Sequence, residues 1–499
     1  MKPAFARLSS LLIAFLISVA AALPAGAAAG STPSLRLTLP EAIAMARGQS
    51  PSALVAAHRY RTSYWEYVTF KADTRPTLNL DLNPVDWQRT IAEQTLSDGT
   101  DAFVPRSQAN SSAGISLNKV MSWSGGQISL RSDIARTQAF EGDAGFSFYA
   151  APIQVSLYQP LFTFNPYSWA QKIEPGRLTE ARQQYVEDLE SVSSDAISYF
   201  FDLLSAETSL RDATTEKAQA DTVLAVTRRR FRMNPSLDID VLQAELANVN
   251  ADLRLTRARV DVTAKEQRLI SFLGFDQLPQ FELVPPSDVP DVSVDLNTAI
   301  SEARQNRPTA MSFGRQLLEA DRNVAQARST RGNTALTASF GLSRTTSDLP
   351  SLYHDPSVDQ RARIGITTPI LDWGRSQARI AVSESQREVT RREIQRQRAD
   401  FERDVFLRVS QFEIQAGQVR QASLADSIAQ RRFEMTRQRY LAGQGDLNSL
   451  NIAQAEKEGA RGRYLDAMRA YWAGYYDVRR ATLYDFERDQ ALTAPPVSF

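Results

Sequence analysis

The chain has no cysteine and only two histidines, His58 and His354, which sit in unrelated contexts. The missing thiols exclude disulfides, a lipid-modified cysteine and any thiolate metal site. HExxH, GxSxG, phosphate-loop and GxGxxG patterns are missing too, and with them the sequence signatures of zinc hydrolysis, nucleophilic catalysis and nucleotide binding. No excess of one charge exists either. The 57 Lys and Arg balance 57 Asp and Glu, so no net field draws nucleic acid or an acidic substrate. Acidic residues alternate with Arg and Lys in the manner of solvated helix faces. The sequence therefore predicts no enzymatic activity, no cofactor, no metal and no nucleic-acid partner.

Long hydrophobic runs are confined to the start. Lys2 and Arg7 precede an apolar run at residues 11–23 (LLIAFLISVAAAL), which is followed by the small residues PAGAAAG. That order is the pattern of a secretory signal peptide over residues 1–29, cleaved after Ala27 or Ala29. Beyond it no run is long enough for a transmembrane helix. A membrane span would have to be a β-barrel, which is marked by alternation rather than by hydropathy.

The rest of the chain is written twice. Residues 37–53 (LTLPEAIAMARGQSPSA) and 294–310 (VDLNTAISEARQNRPTA) share Ala42/Ala299, Ile43/Ile300, Arg47/Arg304 and Pro51/Pro308. Each reads as a short helix followed by a proline that starts the next one. Further on the offset shrinks: Pro160 matches Pro369, Arg230 matches Arg439 and Ala244 matches Ala453. The first copy therefore carries extra material between Pro76 and Pro160. The predicted organisation is a first repeat at 30–293 (helices 37–74, a β segment 76–162 with an inserted hairpin, a helical hairpin 166–275). A second repeat follows at 294–485 (helices 296–331, a β segment 334–371, a helical hairpin 373–485), then a tail at 486–499.

The β segments alternate with period two. Leu78, Leu80 and Leu82 oppose Asn79, Asp81 and Asn83, and Leu336, Ala338, Phe340 and Leu342 oppose Thr337, Ser339, Gly341 and Ser343. Such strands serve either a soluble sandwich, with the apolar face as core, or an outer-membrane barrel, with that face toward lipid. ISLNKVMSW and QISLRSDI flank Gly125-Gly126, a hairpin signal. Those two strands either join a barrel or form a flap outside it.

The helical hairpins are unusually long. From Pro166 to about Met233, Tyr185, Leu189, Val192, Ala196, Tyr199, Leu203, Ala206, Leu210 and Ala213 fall at alternating steps of four and three. The second copy, from Gly374 to about Ala442, runs through Ile380, Ile394, Phe401, Val405, Phe412, Val419, Leu424, Ile428 and Phe433. These are heptad seams, on helices about 100 Å long at 1.5 Å per residue. The return helices are shorter, and the helix pairs at 37–74 and 296–331 supply the missing length if stacked end to end on them. One chain has too few strands to close a barrel, so closure requires other subunits.

The switch from strand to helix also occurs twice. In QPLFTFNP, Pro160 ends the ladder, Asn165 caps the helix and Pro166 takes its first position. In TPILDWGR, Pro369 ends the ladder and Asp372 caps a helix beginning at about Trp373, next to Gly374. Ile364 and Ile366 are expected to face lipid. Trp373, Tyr167 and Trp169 either lie at the membrane–water boundary or pack beneath the barrel.

In the order and duplication of LTLPEAIAMARGQSP, DLNTAISEARQNRP, the two switches, and the turns RRFRMNPSLDIDVLQAELAN and RQRYLAGQGDLNSLNIAQAE, the chain resembles the TolC family of outer-membrane efflux ducts. The resemblance covers the whole chain after the leader. It implies a mixed α+β membrane protein: a long antiparallel coiled-coil helical tunnel in the periplasm and a transmembrane β-barrel completed by trimerisation, all with an internal two-fold repeat. The implied function is a passive channel of a tripartite efflux or type I secretion system, exporting small toxic compounds or proteins. The implied partners are two more copies of the chain, outer-membrane lipid, a periplasmic adaptor and, through it, an inner-membrane transporter.

By the same resemblance the adaptor-docking tip comprises Asn234, Pro235, Ser236 and Leu237 in the first repeat. In the second it comprises Gly443, Gln444, Gly445, Asp446 and Leu447. Asp240 matches an acidic tunnel constriction, although an Asp there also simply favours a helix N-terminus. The second repeat has Ser449 at that place. The alternative from another class is a secreted periplasmic coiled-coil scaffold or adaptor without a membrane barrel.

Overall fold

The structure, a computed structural model, describes residues 35–95, 99–140, 145–233, 238–275, 281–286, 289–329 and 332–496. The leader at 1–29 and the turn residues Asn234, Pro235, Ser236 and Leu237 lie outside the described residues.

The chain opens with strand β1 (Leu35–Thr38), followed by helices α1 (Leu39–Gln49) and α2 (Pro51–Asp73). The sequence placed helix from residue 37. In the structure Leu37 instead pairs in parallel with Leu283 and is fully buried, so the helix starts two residues later. Thr38 and Glu41 close a capping box there, and the Ser50 hydroxyl accepts from the Ala53 amide at the start of α2. Pro51 takes the first position of α2, where a missing N–H costs nothing.

Four long strands follow: β2 (Thr77–Thr95), β3 (Asp101–Met121), β4 (Gly126–Ala139) and β5 (Gly145–Leu161). Then come α3 (Pro166–Met233), α4 (Asp238–Leu273) and β6 (Phe281–Val284), which is β1's partner. The second repeat contains α5 (Leu296–Asn306), α6 (Pro308–Ser329), β7 (Asn333–Thr346), β8 (Ser357–Thr367), α7 (Arg375–Leu441) and α8 (Leu447–Thr482). The α8 helix ends at Leu483, whose φ of 51° is left-handed, and the chain folds back as β9 (Tyr484–Asp485) and β10 (Gln490–Ala491). The proposed boundary at 485 therefore cuts through a small hairpin.

The large sheet is antiparallel throughout, in the order β2-β3-β4-β5-β7-β8. Below it the helices form a wall. Near the sheet α3 packs between α2 and α6, and α6 packs on α7. Toward the hairpin turns the order becomes α4-α3-α8-α7. The short helix pairs thus continue the lines of the return helices, as the length argument required. Where the two tiers meet, Leu37, Ala42, Leu189, Phe200, Leu269, Tyr471 and Tyr475 build the main core.

Most of the first heptad seam is buried: Tyr185, Leu189, Val192, Ala196, Leu203, Ala206 and Ala213 lie in the core, whereas Tyr199 and Leu210 are half-buried. The second departs from the reading. Leu424 and Ile428 are 59% and 51% exposed. The buried positions run Phe412, Val419, Asp426, Phe433 and Tyr440, seven apart. Asp426 occupies a seam position and accepts from the Arg461 guanidinium at 3.0 Å, so a charge interrupts the apolar signal there. Leu424 and Ile428 therefore fall on a different face.

Candidate functional site

Three regions hold the residues singled out by the sequence: the strand-to-helix junction, the hairpin turns and the lateral edges of the chain.

At the first junction the Asn165 carboxamide oxygen accepts from the Tyr167 and Ser168 amides at 3.1 and 3.2 Å, with Pro166 at the first helical position. Both expectations hold. Pro160 does not end the ladder: it pairs with Ala335, and the strand runs on to Leu161. Beyond the Gln127–Tyr158 pair, β4 offers β5 no further partner, so a proline nitrogen on that side breaks no ladder. The left-handed turn comes at Phe162, φ 57°.

At the second junction β8 stops at Thr367, two residues before Pro369. Helix α7 begins at Arg375 rather than Trp373, because Trp373 and Gly374 both take positive φ (54° and 79°). Asp372 still caps it, from further away. Its carboxylate accepts from the Gly374 and Ser376 amides, both at 3.0 Å. The Ser376 hydroxyl and these amides hold the Asp372 carboxyl below the usual carboxylate range. Beside it in sequence Ile370, Leu371 and Trp373 are exposed apolar side chains, as is Phe162 at the first junction.

At the other end, the turn between α7 and α8 is built by helix-terminus chemistry. The Gly443 amide donates to Tyr440 O at 3.0 Å and the Gln444 amide to Arg439 O at 2.9 Å, with Gly443 at φ +81°. That is a Schellman motif, in which glycine is favoured because a Cβ would crowd the left-handed backbone. Asp446 then caps α8, accepting from the Ser449 amide and hydroxyl at 2.7 Å each, and these bonds lower its pKa. Leu447 turns inward and is buried with Ala244, Phe433, Tyr440, Leu450 and Ala453. The ends of α3 and α7 are joined across the repeat: the Thr227 and Tyr440 hydroxyls lie 2.9 Å apart, and Arg230 Nη2 donates to Tyr440 O at 3.0 Å. The heptad pattern of either helix contains no signal for these cross-repeat bonds. Asp240 lies in the first turn of α4, half-buried.

The lateral edges complete the site. One edge is β2 above α2 and α4; the other is β8 continuing into α7. Helix α4 exposes Ile239, Leu242, Leu246, Val249 and Leu253 at steps of three and four. Helix α7 exposes Leu407, Ile414, Leu424, Ile428 and Met435 on the opposite side of the chain. Leu242, Leu246, Val249 and Leu253 on α4, like the α7 residues, make an apolar heptad stripe that is left exposed. The sheet is likewise apolar on one face only. Leu78 and Ile364 are 71% and 67% exposed, while Ser116 on the other face is 8% exposed.

Among the described residues no group of three or more His, Asp or Glu side chains is gathered to hold a metal. Nor, among them, is any helix long and apolar enough to cross a membrane.

This architecture has known counterparts. Residues 299–482 match the family model described as outer membrane efflux protein. CusC, whose crystal structures concern folding and transmembrane channel formation, is 16% identical, with 91% of this chain and 94% of that chain covered and a TM-score of 0.63. The CmeC outer membrane channel of Campylobacter jejuni is 13% identical, with 90% and 88% covered and a TM-score of 0.64. The outer membrane protein VceC of Vibrio cholerae is 11% identical, with 89% and 95% covered and a TM-score of 0.60. No curated protein sequence matches the chain. The second repeat thus matches the outer membrane efflux protein family, and the chain as a whole shares its fold with solved outer-membrane channels.

Proposed function

We propose that the chain is one of three identical protomers of a passive outer-membrane export duct. Its sheet closes into a transmembrane barrel, and its helices form a tunnel reaching into the periplasm. The observation that carries this reading is the pair of unlike lateral edges. One edge offers β2 and the α4 stripe, the other β8 and the α7 stripe. Joining edge to unlike edge buries both stripes and pairs both strands, and a heterologous contact of this kind closes into a ring. The strand directions agree: β2 leaves the helices and β8 returns to them, so apposed edges pair antiparallel like every other pair in the sheet.

The outward apolar face of the sheet fits lipid, and the polar face fits a wet lumen. A soluble scaffold or adaptor would have to cover that apolar face, and among the described residues its side chains are left exposed. The chemistry of transport asks for no catalytic group here. Energy comes from an inner-membrane transporter through a periplasmic adaptor that docks at residues 234–237 and at Gly443–Leu447. Asp240, repeated three times around the axis, would attract cations at the narrow end.

The test is a double-cysteine variant, clean because the chain has no cysteine of its own. Leu253 and Ile428 lie at similar heights above the two turns, on α4 and α7. L253C/I428C is expected to give disulfide-linked dimers and trimers in outer-membrane fractions on oxidation, and neither single variant should give trimers. A monomer recovered from the soluble periplasm sinks the proposal.

A further inference from the structure

We propose that each protomer contributes six strands to the barrel, eighteen in a ring of three, so that the inserted hairpin β3–β4 widens the membrane pore. This rests on the duct reading above and extends it to the size of the lumen.

The first reason is connectivity. Strand β2 pairs with β3 and β5 with β4; β2 and β5 do not touch as a ladder. If the hairpin were a flap outside the wall, β2 would have to find a new partner along its whole length.

The second reason is that the two faces run unbroken through the insert. In an antiparallel sheet directly opposed residues share a face. Leu78, Leu117, Leu130, Val155 and Phe340 are opposed in series from β2 to β7, an apolar row across five strands. The parallel row on the other face is Asn79, Ser116, Arg131, Gln154, Gly341 and Asp359. On that polar face Arg131 pairs with Asp133 at 2.6 Å, and Gly114 leaves the room that the Asp133 carboxylate occupies. A flap in water has no reason to keep lipid-type and lumen-type faces in register with its neighbours.

The third reason is the insert's helix-side turn, which is tied into the junction. The Asn165 amide donates to Ser122 O at 2.8 Å and Gln171 Nε2 to Ser122 Oγ at 2.9 Å. Gln159 Nε2 donates to Ser124 O at 3.1 Å, and the Lys119 ammonium reaches Thr74 O at the end of α2. The same Asn165 that caps α3 therefore also anchors the inserted hairpin.

The widths agree as well. Four helices side by side, at 8–10 Å between axes, span roughly 32–40 Å of wall. Six strands at about 4.8 Å, tilted by about 40°, span roughly 38 Å, whereas four would span only about 25 Å. Three protomers with six strands make a barrel about 36 Å across between backbones, against about 24 Å with four. The barrel then matches the tunnel beneath it and is not the step that limits cargo size.

Two experiments on the full-length chain test this. In outer-membrane vesicles, L130C on the insert should react with a lipid-partitioning maleimide but not a water-soluble one, and S129C should show the reverse. V155C and S156C on β5 serve as reference positions for each face. Water-soluble labelling of L130C equal to that of S129C overturns the inference. Electron microscopy of the unmodified protein in lipid nanodiscs reads the strand count directly. Eighteen strands in a ring of three is the expected result. Twelve strands in such a ring would overturn the inference and leave the duct reading intact, whereas a protein that forms no ring would remove the duct reading as well.

Discussion

Arg479, on the return helix of the second repeat, lies with its Nε 3.2 Å from the Glu190 carboxylate on the long helix of the first. The Glu190 side chain is fully buried, and Arg47 reaches the same carboxylate at 3.0 Å. Arg479 in turn reaches Asp485 at 2.9 Å, which also accepts from the Tyr475 hydroxyl at 2.9 Å. Burial alone would lower the guanidinium's pKa, but Glu190 and Asp485 outweigh it and raise it. One network therefore pins α1, α3, α8 and the small β9–β10 hairpin together at the level where the two tiers of helices meet.

Removing one partner from such a network strands a buried charge. Arg479→Met is expected to cost about 3–5 kcal/mol, and Glu190→Leu a similar amount. The double variant E190L/R479M should lose clearly less than the sum, because the Glu190–Arg479 pair is then removed whole, although Arg47 and Asp485 each still lose a partner. Thermal melts of the four proteins check this, and strict additivity would refute it.

Glu207 on α3 predicts the pH response. Burial pushes its carboxyl up to about 7, with Arg211 opposing and Glu266 and Glu282 adding to the rise. A raised carboxyl pKa means that the folded state holds more protons than the unfolded chain between about pH 4.5 and 7. Its contribution to stability is therefore present below that window and is lost as pH rises through it. Glu207→Gln should melt like the parent at pH 4 and at a higher temperature at pH 8. An equal difference at both pH values would contradict the assignment.

Gly443 makes the turn end sensitive to a single methyl group. Its φ of +81° costs an L-residue about 1–2 kcal/mol. Gly443→Ala should lower the melting temperature, whereas Gly443→Asn, which tolerates this region better, should lie between the two. If the turn is also the docking site, G443A should impair export more than its loss of stability alone explains. Susceptibility to a panel of toxic compounds in a strain lacking the parent chain reads this out against the amount of folded protein in the membrane.

Much of the fold can be read from periodicity. The duplication, the prolines that start α2 and α6, the Asn165 cap and the buried seam through Leu189 and Ala206 follow from local patterns, because each is decided by neighbours within a turn or two. The misread residues have equally physical causes. Leu424 and Ile428 look like seam residues until Asp426 is seen to hold the seam with Arg461. Trp373 looks like a helix start until two positive φ angles delay the helix to Arg375.

What the amino-acid order determined alone is the set of long elements: which extended stretches are strand or helix, and which face of most of them is apolar. Their spacing along the chain carries that information directly. What only the tertiary structure decided is which faces stay uncovered. That the inserted hairpin lies within the sheet, that α4 and α7 rather than α3 and α8 are left at the edges, and that Glu190 finds Arg479 are long-range outcomes. They depend on which elements reach each other first in space and bury the most surface. No local period encodes that competition.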